Sequence, residues 1–291
     1  MSAPLANKVF VITGGAAGIG LATVRTLLSR GASLSVCDIH EGNLRSVIES
    51  LDASEISRVL FQKLDVRDRT QVNDFLAATK QRFKHVNGVA NIAGTIGKSF
   101  GVRNLWDVPM DEYDFVMDVN VRGSFNFVAE ALKPGYLEDG SSIVNVGSVA
   151  SLRGYDKGAI YPISKHAVIG LTKGAAKEGG PREIRVNAVL PGPIQTQLLR
   201  ETTRAFGDLK RPSAYRPFTR EGDPQEIANV ISFFDWRGMG CRWGISGIEL
   251  RRMLSDYFEF CMNTNGGNIE EPNALPGRMP VAVPGTRYSS V

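Results

Sequence analysis

Two hydrophobic periods alternate along the chain. Lys8–Thr13, KVFVIT, is a short β-branched apolar run, the pattern of a strand buried on both faces. The apolar residues of LATVRTLLSRG then recur at helical spacing and stop at Gly31. The alternation continues with SLSVCDI, a strand ending at Asp38, and VLFQKLDV, a third strand over residues 59–66. RDRTQVNDFLAATKQRF reads as an amphipathic helix, and GVANIAG, residues 88–94, as a fourth strand breaking at Gly94. A long helix is predicted from about Asp111 to Leu132, then a fifth strand, SSIVNVGSV, leading to Ser148. IRVNAVLPG is a sixth strand, closing at Pro191 and Gly192.

Strands that alternate with helices throughout predict an α/β fold. The expected architecture is a single domain built on a doubly wound parallel sheet of Rossmann type, with helices on both faces. Ligands of such sheets bind at the carboxyl ends of the strands. Gly14, Asp38, Asp65, Asn91, Ser148 and Pro191 all sit at such ends and are expected to converge on one crevice.

Composition narrows the function. The chain has 291 residues, 43% of them hydrophobic, enough to bury one large core. Its net charge of +4 comes from 34 basic and 30 acidic residues with no basic run, which gives nucleic-acid binding little support. Cys37, Cys241 and Cys261 lack metal-ligand spacing and leave an odd count, so neither a metal site nor a disulfide framework is suggested. The N-terminal MSAPLANKVFVITGG lacks a signal-peptide layout, and no apolar run approaches the ~18 residues of a membrane span. A soluble, cytoplasmic protein with no membrane partner is expected.

Candidate chemistry lies in four places. GGAAGIG, between the first strand and its helix, places Gly14, Gly18 and Gly20 where backbone can approach a pyrophosphate at the positive end of that helix. Asp38 closes the second strand, where a carboxylate accepts hydrogen bonds from an adenosine ribose and repels a 2′-phosphate; NAD is favoured over NADP. Ala17 offers no cation to such a phosphate, although a charged His40 would. Asn120 lies inside the long helix, where asparagine is a poor choice, so its side chain is suspected of other employment. Tyr161 and Lys165 stand four residues apart on one helical face. An ammonium beside a phenol favours the phenolate, so the Tyr161 pKa is expected to fall from its usual value near ~10 toward one suited to acid–base catalysis.

Taken in order, these residues resemble the short-chain dehydrogenase/reductase family over about residues 7–234. The family's TGxxxGxG loop matches Thr13–Gly20, including Ala17 and Ile19; its acidic NAD selector matches Asp38, and its adenine-contacting Asp-Val pair Asp65 and Val66. The N-A-A-G segment appears as Asn91, Ile92, Ala93 and Gly94. Asn120, Ser148 and the Y-x-x-x-K pair Tyr161 and Lys165 match the catalytic set. Pro191 and Gly192 match the P-G motif, with Ile194 and Thr196 at positions that contact the nicotinamide carboxamide in the family. The resemblance implies hydride transfer between NAD and a secondary alcohol or ketone. Ser148 would steady the substrate oxygen, Tyr161 would carry the proton, and Lys165 would hold the nicotinamide ribose. Asn120 would keep a water linking Lys165 to solvent. A homodimer or homotetramer is implied too. Two other readings stay open: a dinucleotide-binding member without redox chemistry, and an NADP-dependent ketone reductase.

The resemblance fades at both the lid and the end. The polar, proline-containing stretch of about residues 193–222 suits a substrate lid, with Leu198, Leu199, Phe206 and Tyr215 as an apolar wall and Arg103 and Trp106 opposite. After Phe234 the chain departs from the family, so residues 1–234 form the catalytic domain and 235–291 a divergent, partly irregular segment. Residues 253–267 are either a degenerate return of the family's last strand after an insertion near Asp235–Arg252, or part of a wholly divergent end. That divergence puts assembly of a stable oligomer in doubt.

Overall fold

The computed structural model describes residues 4–206, 220–235 and 258–263. In chain order the elements are β1 (Val9–Thr13), α1 (Gly18–Ser29), β2 (Ser33–Asp38), α2 (Glu41–Glu49), α3 (Ala53–Ile56), β3 (Val59–Lys63), α4 (Arg69–Phe83) and β4 (Gly88–Asn91). Then follow α5 (Met110–Met117), α6 (Gly123–Leu132), β5 (Ser142–Val146), α7 (Ile160–Gly179), β6 (Arg185–Pro191), α8 (Gln197–Phe206), α9 (Pro224–Asp235) and β7 (Phe258–Asn263).

The strands lie in the order β3-β2-β1-β4-β5-β6-β7. The first six run parallel, so the expected doubly wound sheet is present. Two cores explain why β1, β4 and β5 are buried along their whole length and mostly apolar, with Thr13, Asn91, Ser142 and Asn145 their polar positions. On one face Phe10, Ile12, Leu27, Leu34 and Val144 pack with Ile227 and Ile231 of α9. On the other, Val11, Val89 and Ile143 pack with Phe75 of α4 and Phe127 of α6. Alternate residues of each strand serve opposite faces, so a strand buried on both sides must be apolar at nearly every position. A fully buried side chain of this size contributes about 1.5–3 kcal/mol.

The seventh strand departs from the parallel pattern. β7 runs antiparallel to β6, beginning opposite Pro191 and ending opposite Asn187. Within residues 253–267, where the sequence suggests a degenerate last strand, a strand does therefore form, but with reversed direction. The region of the suspected insertion and the tail beyond Asn263 lie outside the described residues.

Two strands end earlier than their apolar patterns suggest. β3 stops at Lys63, because Asp65 enters a turn in which the Asp68 N–H donates to its carbonyl at 3.0 Å. β4 stops at Asn91, because the Thr13 hydroxyl takes the Ile92 and Ala93 N–H groups, both at 3.0 Å. The long helix is found, with a change of winding. Between α5 and α6, Asp118–Arg122 form a π turn around Asn120. Such insertions are frequent at functional sites.

The sheet reverses its winding between β1 and β4, where ligands of such folds bind. The carboxyl ends of β1, β4 and β5 therefore face the turns that carry Gly14, Gly94 and Ser148.

Candidate active site

The β1–α1 turn is built to admit a ligand. Gly14 and Gly18 have positive φ values of 64° and 50°, which favour glycine. A Cβ on Gly20 would lie 1.9 Å from the Gly14 carbonyl oxygen, and one on Gly14 would lie 2.9 Å from the Ala93 backbone. Ala17 caps α1 without any side-chain hydrogen bond, and no acidic residue sits in its first turn. The turn thus offers free backbone donors and the positive end of a helix dipole, both suited to a phosphate. Neighbouring β2 brings the Asp38 carboxylate, which accepts from the Ala16 N–H and the His40 N–H, each at 3.0 Å. Asp38 is buried but keeps acceptor capacity beyond these two bonds.

Asp65 and Val66 sit differently from these glycines. Arg67 donates to both Asp65 oxygens, at 2.6 to 3.0 Å, and holds that carboxyl below the usual range. Val66 packs where a side chain on Gly123 would stand, and its carbonyl accepts from Asn126 Nδ2 at 3.0 Å. Asn91 is an internal brace: its Nδ2 donates to Asn145 Oδ1 at 2.9 Å, and Asn145 in turn donates to Thr172. On the far side, Ile194 is buried, and Thr196 lies 3.0 Å from where a Cβ on Gly18 would be. The loop carrying Pro191, Gly192, Ile194 and Thr196 thereby reaches the glycine turn.

The candidate acid–base residues converge beside this crevice. Ser148 ends the β5 segment as the cap of a short turn, with its hydroxyl accepting from the Ala150 N–H at 3.1 Å. The Ser148 hydroxyl lies close enough to the Tyr161 phenol to draw its pKa down, against the larger effect of burial. Lys165, one turn further along α7, is buried; its Nζ donates to the Val146 carbonyl at 2.9 Å and stands 5.8 Å from the Tyr161 ring centroid. Above it is exposed Gly94, where a Cβ would come within 3.4 Å of Lys165 Nζ and 3.2 Å of Asn120 Oδ1. Only a residue without a side chain leaves that approach open.

Asn120 is fully buried and fully employed. Its Oδ1 accepts from the Thr95 N–H at 2.8 Å, while its Nδ2 donates to the Thr95 carbonyl at 2.8 Å and to Ser164 Oγ at 2.9 Å. The suspicion about a helix-interior asparagine is answered by these bonds, which tie the segment after β4 to α7. Its side chain is spent on protein partners.

One expectation is corrected. The Tyr161 phenol is pushed up to about 12, first by burial, with the Ser148 hydrogen bond opposing this and nearby Tyr155 adding to it. Lys165 is pushed down to about 8, also by burial. Spacing alone counted the attraction between ammonium and phenolate and missed the loss of water around both groups.

Several supporting residues carry no signature in the sequence. The Ser151 hydroxyl accepts from the Ser148 N–H and donates to the Lys165 carbonyl, linking the two catalytic candidates. Ser164 donates to the Tyr161 carbonyl at 2.7 Å. The local cue for both was a short polar residue beside a motif residue. Among the described residues there is no His/Cys/Asp/Glu group able to hold a metal ion, and no helix is long and apolar enough to cross a membrane.

A phosphate-accepting turn at the switch point of a doubly wound sheet, opening onto a serine, tyrosine and lysine, defines a dinucleotide-dependent oxidoreductase. Its residues fit a nicotinamide dinucleotide: the glycine turn has no room for side chains, the helix above it has no cap of its own, and the Asp38 carboxylate closes the neighbouring strand.

Comparison with known proteins agrees. The sequence profile of a family described as enoyl-(acyl carrier protein) reductase matches residues 14–235. The short-chain dehydrogenase/reductase aba4 of Botryotinia fuckeliana is 38% identical over 236 residues, covering 80% of this chain and 91% of the relative. A crystal structure of levodione reductase superposes with a TM-score of 0.71 at 33% identity, over 79% of this chain and 91% of that one. A structure of ElxO with NADP bound has a TM-score of 0.69 at 27% identity, over 80% and 92% of the two chains. The chain belongs to the short-chain dehydrogenase/reductase family. It is an NAD(P)-dependent oxidoreductase of alcohols and ketones, acting on CH–OH donors.

Proposed function

We propose that this protein transfers a hydride between NAD and a secondary alcohol or its ketone, with Tyr161 as the acid–base residue. The observation that carries the reading is the convergence of Tyr161 with buried Lys165, whose Nζ stands 5.8 Å from the Tyr161 ring centroid, and with Ser148, which Ser151 ties to the Lys165 carbonyl. A bound nicotinamide dinucleotide supplies the hydride acceptor or donor. Gly14, Ala17, Gly18, Ile19 and Gly20 cradle its pyrophosphate, and Gly94, Ala93, Ile194 and Thr196 flank its other half. Asn91 keeps the end of β4 in place from within. Asp65 and Val66 shape the adenine side, Asp65 through its pairing with Arg67. Asp38 accepts from the adenosine ribose, and its charge excludes a 2′-phosphate; this supports NAD over NADP.

Ser148 donates to the substrate oxygen and stabilises charge that develops there. With its pKa near 12, Tyr161 holds its proton at neutral pH and is ready to give it to a ketone oxygen. In the reverse direction it must first lose that proton, so alcohol oxidation is favoured by alkaline pH. Lys165 hydrogen-bonds the nicotinamide ribose, and Asn120 ties the segment after β4 to α7 beside it.

The test is Tyr161→Phe. Turnover of any secondary alcohol or ketone should drop by at least ~100-fold while NAD still raises the melting temperature. Unchanged turnover in that variant would refute the assignment.

A further inference from the structure

Beside Tyr161 stands an aromatic wall that the catalytic residues leave unexplained. The Phe100 ring meets the Tyr161 ring edge-on, with centroids 5.8 Å apart and planes at 86°. It also meets the Tyr155 ring at 5.5 Å and 55°. Phe100 is wedged from behind, since a Cβ on Gly158 would fall 2.8 Å from its Cε2. Tyr155, more than a third exposed, is held by Arg153, whose Nε donates to its hydroxyl at 3.1 Å.

The segment carrying Phe100 is tied down in two places. Glu112 of α5 accepts from the Lys98 and Ser99 N–H groups through one carboxylate oxygen and from the Ser99 hydroxyl, at 2.6 Å, through the other. The Gly101 N–H donates to the Lys157 carbonyl at 2.6 Å, joining this segment to the one that carries Tyr155. Gly97 and Gly101, at φ values of 80° and 81°, give the backbone the turns that these bonds require. A loop with no regular structure is thereby fixed at both ends of its aromatic residue. A side chain held this firmly next to a proton-transfer phenol shapes what can approach it.

Resting on the reading of Tyr161 as the acid–base residue, we propose that Phe100, backed by Tyr155, is a specificity-determining wall that receives a compact apolar ring at the reacting carbon, making cyclic secondary alcohols and ketones the preferred substrates. Glu112 is its positioning residue. A ring is already rigid and covers an apolar surface at little entropic cost, whereas a flexible chain must give up rotamer freedom to cover the same area.

The experiment compares wild type, Phe100→Ala, Phe100→Leu and Glu112→Ala on matched ketones, cyclohexanone and tetralone against butanone and heptanone, with melting temperatures measured with and without NAD. For cyclic ketones Phe100→Ala should lose roughly tenfold in kcat/KM, mostly through KM, with acyclic ketones changed less than threefold. Phe100→Leu should fall between wild type and Phe100→Ala, and Glu112→Ala should show the same cyclic-selective loss in KM. The rise in melting temperature with NAD should persist in all variants, since none touches the cofactor cradle. Equal losses for both ketone classes, or none, in an enzyme that still requires Tyr161 would overturn the inference alone. A wild type inert toward every ketone, or active without Tyr161, would overturn the underlying reading and the inference with it.

Discussion

Lys165→Met should stabilise the cofactor-free protein at neutral pH. Lysine has an ordinary pKa of 10.5, and burial brings this one to about 8. At pH 7 the folded chain therefore carries an ammonium that its surroundings disfavour, a penalty of ~3 kcal/mol. Because the folded pKa lies below the unfolded one, the unfolded chain binds the extra proton between the two values, and stability rises with pH from about 8 toward 10.5. Tyr161 does not disturb this window from the folded side, since its own proton is held to about 12. Methionine keeps most of the volume and removes the charge, but leaves the Val146 carbonyl without its 2.9 Å donor, a loss of ~1 kcal/mol. The net gain at pH 7 is then about 2 kcal/mol, read as a higher urea midpoint at unchanged slope. By pH 10 the difference between variant and wild type should shrink toward zero or reverse. A variant less stable than wild type by the same margin at both pH values would refute the reasoning, because it would show that Lys165 contributes to packing without a burial penalty.

Two further outcomes follow from the cofactor cradle. Asp38→Ala should narrow the ratio of kcat/KM with NAD to that with NADP by at least about tenfold, since it removes the charge that repels a 2′-phosphate; a wild type already preferring NADP would refute the assignment of Asp38. Gly20→Ala sets a methyl where only 1.9 Å separates it from the Gly14 carbonyl, so the turn must open; the rise in melting temperature with NAD should disappear, and its survival would show that the cradle is not used.

Much of the fold was legible because its signals are local. An apolar run such as Val9–Thr13, a glycine turn and a helical period all lie within a dozen residues, and a sheet buried on both faces leaves strands little chemical freedom. The candidate site was legible for the same reason: strand ends are easy to find, and strand ends converge. Asn120 stood out as a misfit in its helix, although nothing local disclosed the π turn or the bonds to Thr95 and Ser164. Phe100 and Glu112 were silent, because an irregular loop has no period and their relation spans two elements. The Tyr161 pKa was misjudged in direction because charge spacing can be read from a helix, whereas dehydration depends on everything packed around it. The reversed β7 escaped for a related reason: an apolar strand pattern reads the same in either direction.

The loop after β6 has one more property. Ile194 pairs with Gly222 in an isolated bridge, and the Gly222 N–H donates to the Pro193 carbonyl at 2.9 Å while the Gln195 N–H donates to the Gly222 carbonyl at 2.9 Å. The two feet of the segment are therefore stitched together next to the catalytic floor. Once a loop is closed at its base, doubling its length adds only about 0.6 kcal/mol of closure entropy. The bridge therefore keeps Ile194 and Gly222 in register, so the β6 end of the crevice holds its place whatever the length of the connection.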